Sequence, residues 1–106
     1  MIRKIKYELA KSNIHGIGVF SIEHIKKNEI IDKGIVFVFI FIPQVTDYFG
    51  RWINHSFNPN SYLFYCPIDN VHYVIAKYNI PMNTEITIDY RETPWYINRP
   101  GINYKP

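Results

Sequence analysis

The sequence predicts one small, mostly β domain, and three observations predict it. Short runs rich in β-branched and aromatic residues recur along the 106-residue chain, separated by Gly, Pro, Asn and Asp. Hydrophobic residues make up 47% and aromatic residues 17%, enough for a packed core and too apolar for a disordered chain. No segment carries a helical apolar period beyond one or two turns.

The elements follow in order. In "IKYEL", Ile5, Tyr7 and Leu9 alternate with Lys6 and Glu8, the period of a half-buried strand. "IGVFSI" (17–22) and "EIIDKGIVFVFIFI" (29–42) read as strands, with Gly34 marking a break or bulge and Pro43 ending the second run. "PQVTDYFG" (43–50) has room for one or two helical turns. "SYLFYC" (61–66) and "VHYVIAKY" (71–78) flank "PIDN", a hairpin signal, and "EITIDY" (85–90) is the last strand. Residues 91–106 read as a flanking tail that packs through Trp95 and Tyr96, completing a single domain over 1–106. "IKKNEII" (25–31) and "IPMNTEITI" (80–88) resemble each other: isoleucine, a polar turn with Asn, then a β-branched strand. Asn28 and Asn83 stand where a left-handed residue is useful.

Composition narrows the function classes. The longest apolar run, residues 35–42, is far short of a membrane span, and the charged start lacks the apolar segment of a signal peptide; an intracellular protein is expected. Cys66 is the only cysteine, which excludes an intramolecular disulfide and a cysteine-based zinc cluster. The net charge of +3 is spread without a basic block, so no direct nucleic-acid partner is expected. His15, His24, His55 and His72 show no paired metal spacing, and no metal is assigned.

Four stretches carry candidate chemistry, one of them "TPWYINRP" (93–100), whose Trp95 either covers a flat ligand or closes the core from the terminus. "HGIGVF" (15–20) brings two glycines, which serve either a turn or bulge or a close backbone approach to a ligand. "NHSFNPN" (54–60) is too polar for a strand; its asparagines either cap loose backbone or hold a polar ligand edge. Tyr90, at the end of "EITIDY", either rests its ring in the core or turns its hydroxyl into a cleft.

In this order the stretches resemble the SET-domain protein-lysine methyltransferases, whose pattern runs G-x-G-φ, then N-H-S-C-x-P-N, then E-L-T-x-D-Y. Gly16-Ile17-Gly18-Val19, Asn54-His55-Ser56-Phe57-Asn58-Pro59-Asn60 and Glu85-Ile86-Thr87-Ile88-Asp89-Tyr90 match it over roughly residues 5–100. The ending is most like the short stand-alone SET proteins of viruses and bacteria. The resemblance implies a SET-domain (β-clip) fold of small curved sheets with a C-terminal pseudoknot. It implies S-adenosylmethionine as cofactor, held by Gly16, Ile17, Gly18, Asn54 and His55 with Trp95 near the adenine, and Tyr90 as catalytic residue. The implied partner is a lysine-containing protein, with a histone tail as the candidate, which would make the chain a chromatin regulator in a nucleus, that of a host for a viral protein. A homodimer through residues 35–42 is also suggested, against the alternative of a core strand.

Four departures from the family pattern stand out. Phe57 replaces the usual cysteine, Ile88 stands where many relatives have Phe or Tyr, and Arg91 follows the tyrosine where short relatives often have Gly. Only residues 35–50 separate Gly34 from Arg51, where the family carries a longer insert. That short segment leaves open a module that binds cofactor or protein with little turnover.

Overall fold

Two four-stranded sheets share one core in the structure, a computed structural model that describes residues 4–39 and 41–93. The strands are β1 (Tyr7–Lys11), β2 (Ile17–Ser21), β3 (Ile30–Val38), β4 (Ile42–Val45), β5 (Asn54–His55), β6 (Ser61–Cys66), β7 (Val71–Ala76) and β8 (Glu85–Ile88). One sheet runs β1-β2-β8-β5 and the other β4-β3-β7-β6. Every pairing is antiparallel except β5 with β8. Among the described residues the only helical pieces are 3₁₀ turns at Gly50–Trp52 and Tyr90–Glu92.

The β6–β7 hairpin forms where "PIDN" predicts it, with Asn70 left-handed at φ 55° just before the closing pair Cys66↔Val71. The first strand starts two residues later than its alternation suggests. Of its apolar residues only Tyr7 is buried; it packs on Phe49 at 4.6 Å and donates its hydroxyl to Asp32 Oδ2 at 2.5 Å. Ile5, which precedes β1, and Leu9 on this edge strand stay exposed.

Residues 43–45 correct the expectation of helical turns over 43–50, while a turn at 47–49 leads into the 3₁₀ turn of Gly50–Trp52. The apolar run doubles back, so that Ile42–Val45 forms β4 against Ile35–Val38 of β3. Pro43 therefore lies inside a strand rather than ending one. It sits opposite Phe37 on a sheet edge, where its missing N–H leaves no ladder bond unmade. Gly34 sits at a register shift of β3, as a bulge requires. The long run splits in character: Ile35 is fully buried, whereas Phe39, Phe41 and Ile42 are exposed at the hairpin tip.

From β4 the chain is tied back to that bulge. Thr46 Oγ1 donates to the Lys33 carbonyl and accepts the Gly50 N–H, both at 2.7 Å. Gly50 is obligatory here, since a Cβ would collide with the Gly34 carbonyl. This junction aims Ile53 into the core and delivers Asn54 to the other sheet.

The two similar turns are related units. Residues 17–31 and 72–86 correspond at a constant offset, sharing Val19/Val74, Ile25/Ile80, Asn28/Asn83 and Ile31/Ile86. Asn28 and Asn83 are both left-handed, at φ 71° and 63°. Ile25 and Ile80 pair with each other through hydrogen bonds of 2.9 and 2.7 Å. The Ser21 N–H reaches the Thr84 carbonyl as the Ala76 N–H reaches that of Glu29, at 2.9 and 3.0 Å. β2–β8 and β3–β7 are likewise equivalent pairings, with Phe20↔Glu85 matched by Ile30↔Ile75. The shared valine and isoleucine positions, all buried, form the centre of the core.

Candidate active site

The segment read as too polar for a strand forms β5, pairing Asn54 with Thr87 and His55 with Ile88. Its polar side chains can be buried because each meets a built partner. Asn54 Nδ2 lies 2.8 Å from Glu85 Oε2 and 3.0 Å from both Ser12 Oγ and the His15 carbonyl. Ser12 Oγ donates to Glu85 and accepts the Ile14 N–H at 2.8 Å. Asn54, buried beneath the β1–β2 turn, thus fastens that turn to the start of β8.

The glycine pair divides its work. Gly16 is left-handed at φ 48° and its carbonyl accepts the Ser12 N–H at 2.8 Å, closing the turn. Gly18 makes room for protein: a Cβ there would strike the Glu85 carboxylate. Ile17, between them, is exposed.

His55 and Tyr90 meet directly. The Tyr90 N–H donates to His55 Nδ1 at 2.9 Å, and the Tyr90 hydroxyl donates to the Ile53 carbonyl at 2.6 Å. The two rings lie 5.1 Å apart. Burial pushes His55 below its ordinary 6.5; Arg91 adds to this and Asp89 opposes it. Asp89 is itself held below the usual carboxylate range, chiefly by hydrogen bonds from Arg91. The Arg91 guanidinium grips it with Nε 3.0 Å from both oxygens and Nη2 2.6 Å from Oδ2.

Phe57 now has an explanation. Its ring meets His55 edge-on, with centroids 4.4 Å apart and planes at 87°, and Arg91 Cζ lies 4.5 Å over the same ring. Two departures from the family pattern, Phe57 and Arg91, are therefore in contact. Asn60 has the capping role considered for it, donating to the Glu85 carbonyl at 2.8 Å and accepting the Thr87 N–H at 3.0 Å.

The fold thus gathers Gly16, Ile17, Gly18, Asn54, His55 and Tyr90 around β8, while Trp95 lies outside the described residues. Sequence reasoning missed Ser12, gave Glu85 no role, and had no means of seeing the Ile53 carbonyl. The only signal for Ser12 was its place in a polar turn just before Gly16. Among the described residues no group of three or more His, Cys, Asp or Glu side chains could hold a metal.

The comparisons with known proteins agree with this geometry. The family profile described as SET domain matches residues 39–91, half of the chain. The chain is 30% identical over 120 residues to histone-lysine N-methyltransferase SETD1B of Homo sapiens, and equally to that of Gallus gallus. These alignments cover 84% of this chain, which spans only 6% of the length of those relatives. A solved Plasmodium falciparum structure, named as a candidate histone methyltransferase, superposes with a TM-score of 0.71 at 31% identity, covering 90% of this chain and 100% of that one. Profile, fold and motif order converge: the chain belongs to the SET-domain family.

Proposed function

We propose that this chain transfers a methyl group from S-adenosylmethionine to a lysine side chain of a protein, with a histone tail as the first substrate to test. The observation that carries the reading is the double anchoring of Tyr90, by its amide to His55 and by its hydroxyl to the Ile53 carbonyl. This joins the Asn-His-Ser and Asp-Tyr motifs into one site.

The residues fit the cofactor. The Ser56 N–H bonds to the Ile88 carbonyl, so the alternation of a parallel ladder turns the His55 N–H and carbonyl to the outer edge of β5. A donor and an acceptor side by side suit the edge of an adenine. The turn at Gly16, Ile17 and Gly18 lies beside this edge, tied to it by Asn54. Because the Asn54 side chain is committed to that turn and to Glu85, we assign cofactor contacts here to main-chain groups. When bound, S-adenosylmethionine supplies an electrophilic methyl on a sulfonium, whose sulfur keeps the carbon–sulfur electron pair and leaves as a neutral thioether.

The chain's own residues then have to orient a neutral amine. A free lysine, with an ordinary pKa of about 10.4, is mostly protonated at neutral pH and must lose that proton to solvent before its lone pair can attack. An aromatic surround favours the neutral form by desolvation. The Tyr90 hydroxyl, donating to a fixed carbonyl, offers its oxygen as an acceptor beside the incoming nitrogen. Alignment of this kind supplies several kcal/mol without a strong base.

Tritium-labelled S-adenosylmethionine and mixed core histones test the reading. Tyr90→Phe should lower transfer by about a hundredfold or more while calorimetric cofactor binding stays near wild type. Equal transfer by Tyr90→Phe would sink the mechanism. A second reading, a cofactor-binding module with little turnover, is favoured by the middle segment, which folds as a plain β3–β4 hairpin with Phe39 and Phe41 turned to solvent. It predicts saturable cofactor binding with no labelled product across a broad protein panel. A histone substrate would place the protein in a nucleus, and a dimer through the β3–β4 tip would appear as a concentration-dependent mass.

A further inference from the structure

The contacts around Tyr90 close into a ring. Its amide rests on His55 Nδ1, His55 rests on the edge of Phe57, Phe57 lies under the Arg91 guanidinium, and Arg91 grips Asp89, the residue next to Tyr90. We propose that Arg91 is a positioning residue for Tyr90, acting with Phe57 to hold the His55 ring where Nδ1 accepts the Tyr90 amide. This rests on the reading of Tyr90 as the residue at the reacting centre.

Two groups compete for one nitrogen. His55 Nδ1 faces the Tyr90 N–H at 2.9 Å and Asp89 Oδ1 at 3.8 Å. A neutral imidazole accepts from the amide. An imidazolium carries a proton on Nδ1, so it would release the amide and turn to the carboxylate. Arg91 decides the contest, because its fork occupies both Asp89 oxygens and its charge opposes a second cation nearby. Among the described residues, the charged groups that act on His55 are Asp89 and Arg91, both from the turn after β8. Glu85, at the other end of that strand, is engaged by Ser12 and Asn54. Phe57 contributes geometry: its ring packs perpendicular to that of His55, and it gives the guanidinium a cation–π seat well within 6 Å. Cysteine at position 57 would offer no such seat.

The test uses the full chain. Histidine resonances are followed by NMR from pH 8 to pH 5 in wild type, Arg91→Ala and Arg91→Lys, with no substrate present. Arg91→Ala should raise the His55 midpoint by about one pH unit, as expected when a nearby carboxylate loses its cation. Arg91→Lys should restore most of the difference. In the histone assay, Arg91→Ala should lose kcat several-fold near pH 6.5 at little change in KM, and regain it near pH 8.5. Phe57→Leu should lose kcat too, with the double variant losing less than the product of the single losses. An unchanged His55 midpoint in Arg91→Ala, or a loss equal at both pH values, would overturn the proposal. If wild type methylates nothing, the activity reading fails, and the substrate-free titration still decides whether Arg91 sets the state of His55.

Discussion

Residues 17–31 and 72–86 are the same device used twice, and what flanks them decides which one becomes a site. Both place a buried valine on a strand, a buried isoleucine at the cross-pairing and a left-handed asparagine in the turn. The strands that follow then diverge. β3 runs for nine residues and takes β4 on its free side, ending in an exposed apolar tip. β8 stops after four and takes β5 in parallel, lined by buried polar groups. One backbone plan thus yields a structural edge and a chemical edge. The core positions do not distinguish them; their neighbours do.

Four measurements bear on this equivalence, from the largest expected effect to the smallest. Ile25→Ala and Ile80→Ala should each cost about 2–5 kcal/mol in urea unfolding, since both side chains are fully buried in the shared core. Losses that differ severalfold would break the equivalence. Asn54→Ala should cost about 1–3 kcal/mol, because it removes the donor shared by Ser12, Glu85 and the His15 carbonyl. Val45→Ala on the opposite edge, where the side chain is only half-buried, should cost clearly less. A reversed order would mean that the polar edge is not the tighter one. Alanine at position 28 or 83 should cost about 1–2 kcal/mol for the left-handed backbone, with glycine near neutral at both. A penalty at only one site would show that the turns are not under the same constraint.

The smallest effect is the response to acid, where each sheet has its own buried histidine. His55 lies beside β8, and His72 sits against Tyr65 and Phe37, at 4.9 and 6.1 Å. Burial holds both below the ordinary 6.5, with Asp89 opposing this at His55. As the pH falls below 6.5 the unfolded chain takes up these protons before the folded one does. Stability is therefore full above that pH and declines as the pH drops toward the lower folded values. Melting temperatures at pH 7.5, 6.0 and 5.0 should fall in that order, and His72→Leu should flatten part of the slope. A slope unchanged by His72→Leu would leave the acid response to the sheet that holds β8.

The sequence was legible where local rules act alone. Hairpin asparagines, strand composition and the bulge at Gly34 all report on their own few residues, and the structure has them in place. The illegible parts depend on what a segment meets. Residues 54–55 could be recognised as a strand only by knowing that Ser12 and Glu85 wait for Asn54. Residues 43–45 offered a helical reading because nothing local shows the chain folding back on β3. The motif order named segments that the fold brings together, whereas Ser12, the Ile53 carbonyl and the Phe57–Arg91 contact are facts of packing between distant segments.

The position of β8 also has a kinetic meaning. The β6–β7 hairpin closes a four-residue loop, while β8 must reach back across most of the chain to pair Val19 with Ile86 and across some thirty residues to meet β5. Pairings so distant in sequence are slow to form, because the entropy of closing the chain is spent before any bond repays it. A nascent chain made as far as Ala76 holds Gly16, Asn54 and His55 with no strand to gather them. The cluster around Tyr90 therefore assembles with β8, the last strand among the described residues, and not before it.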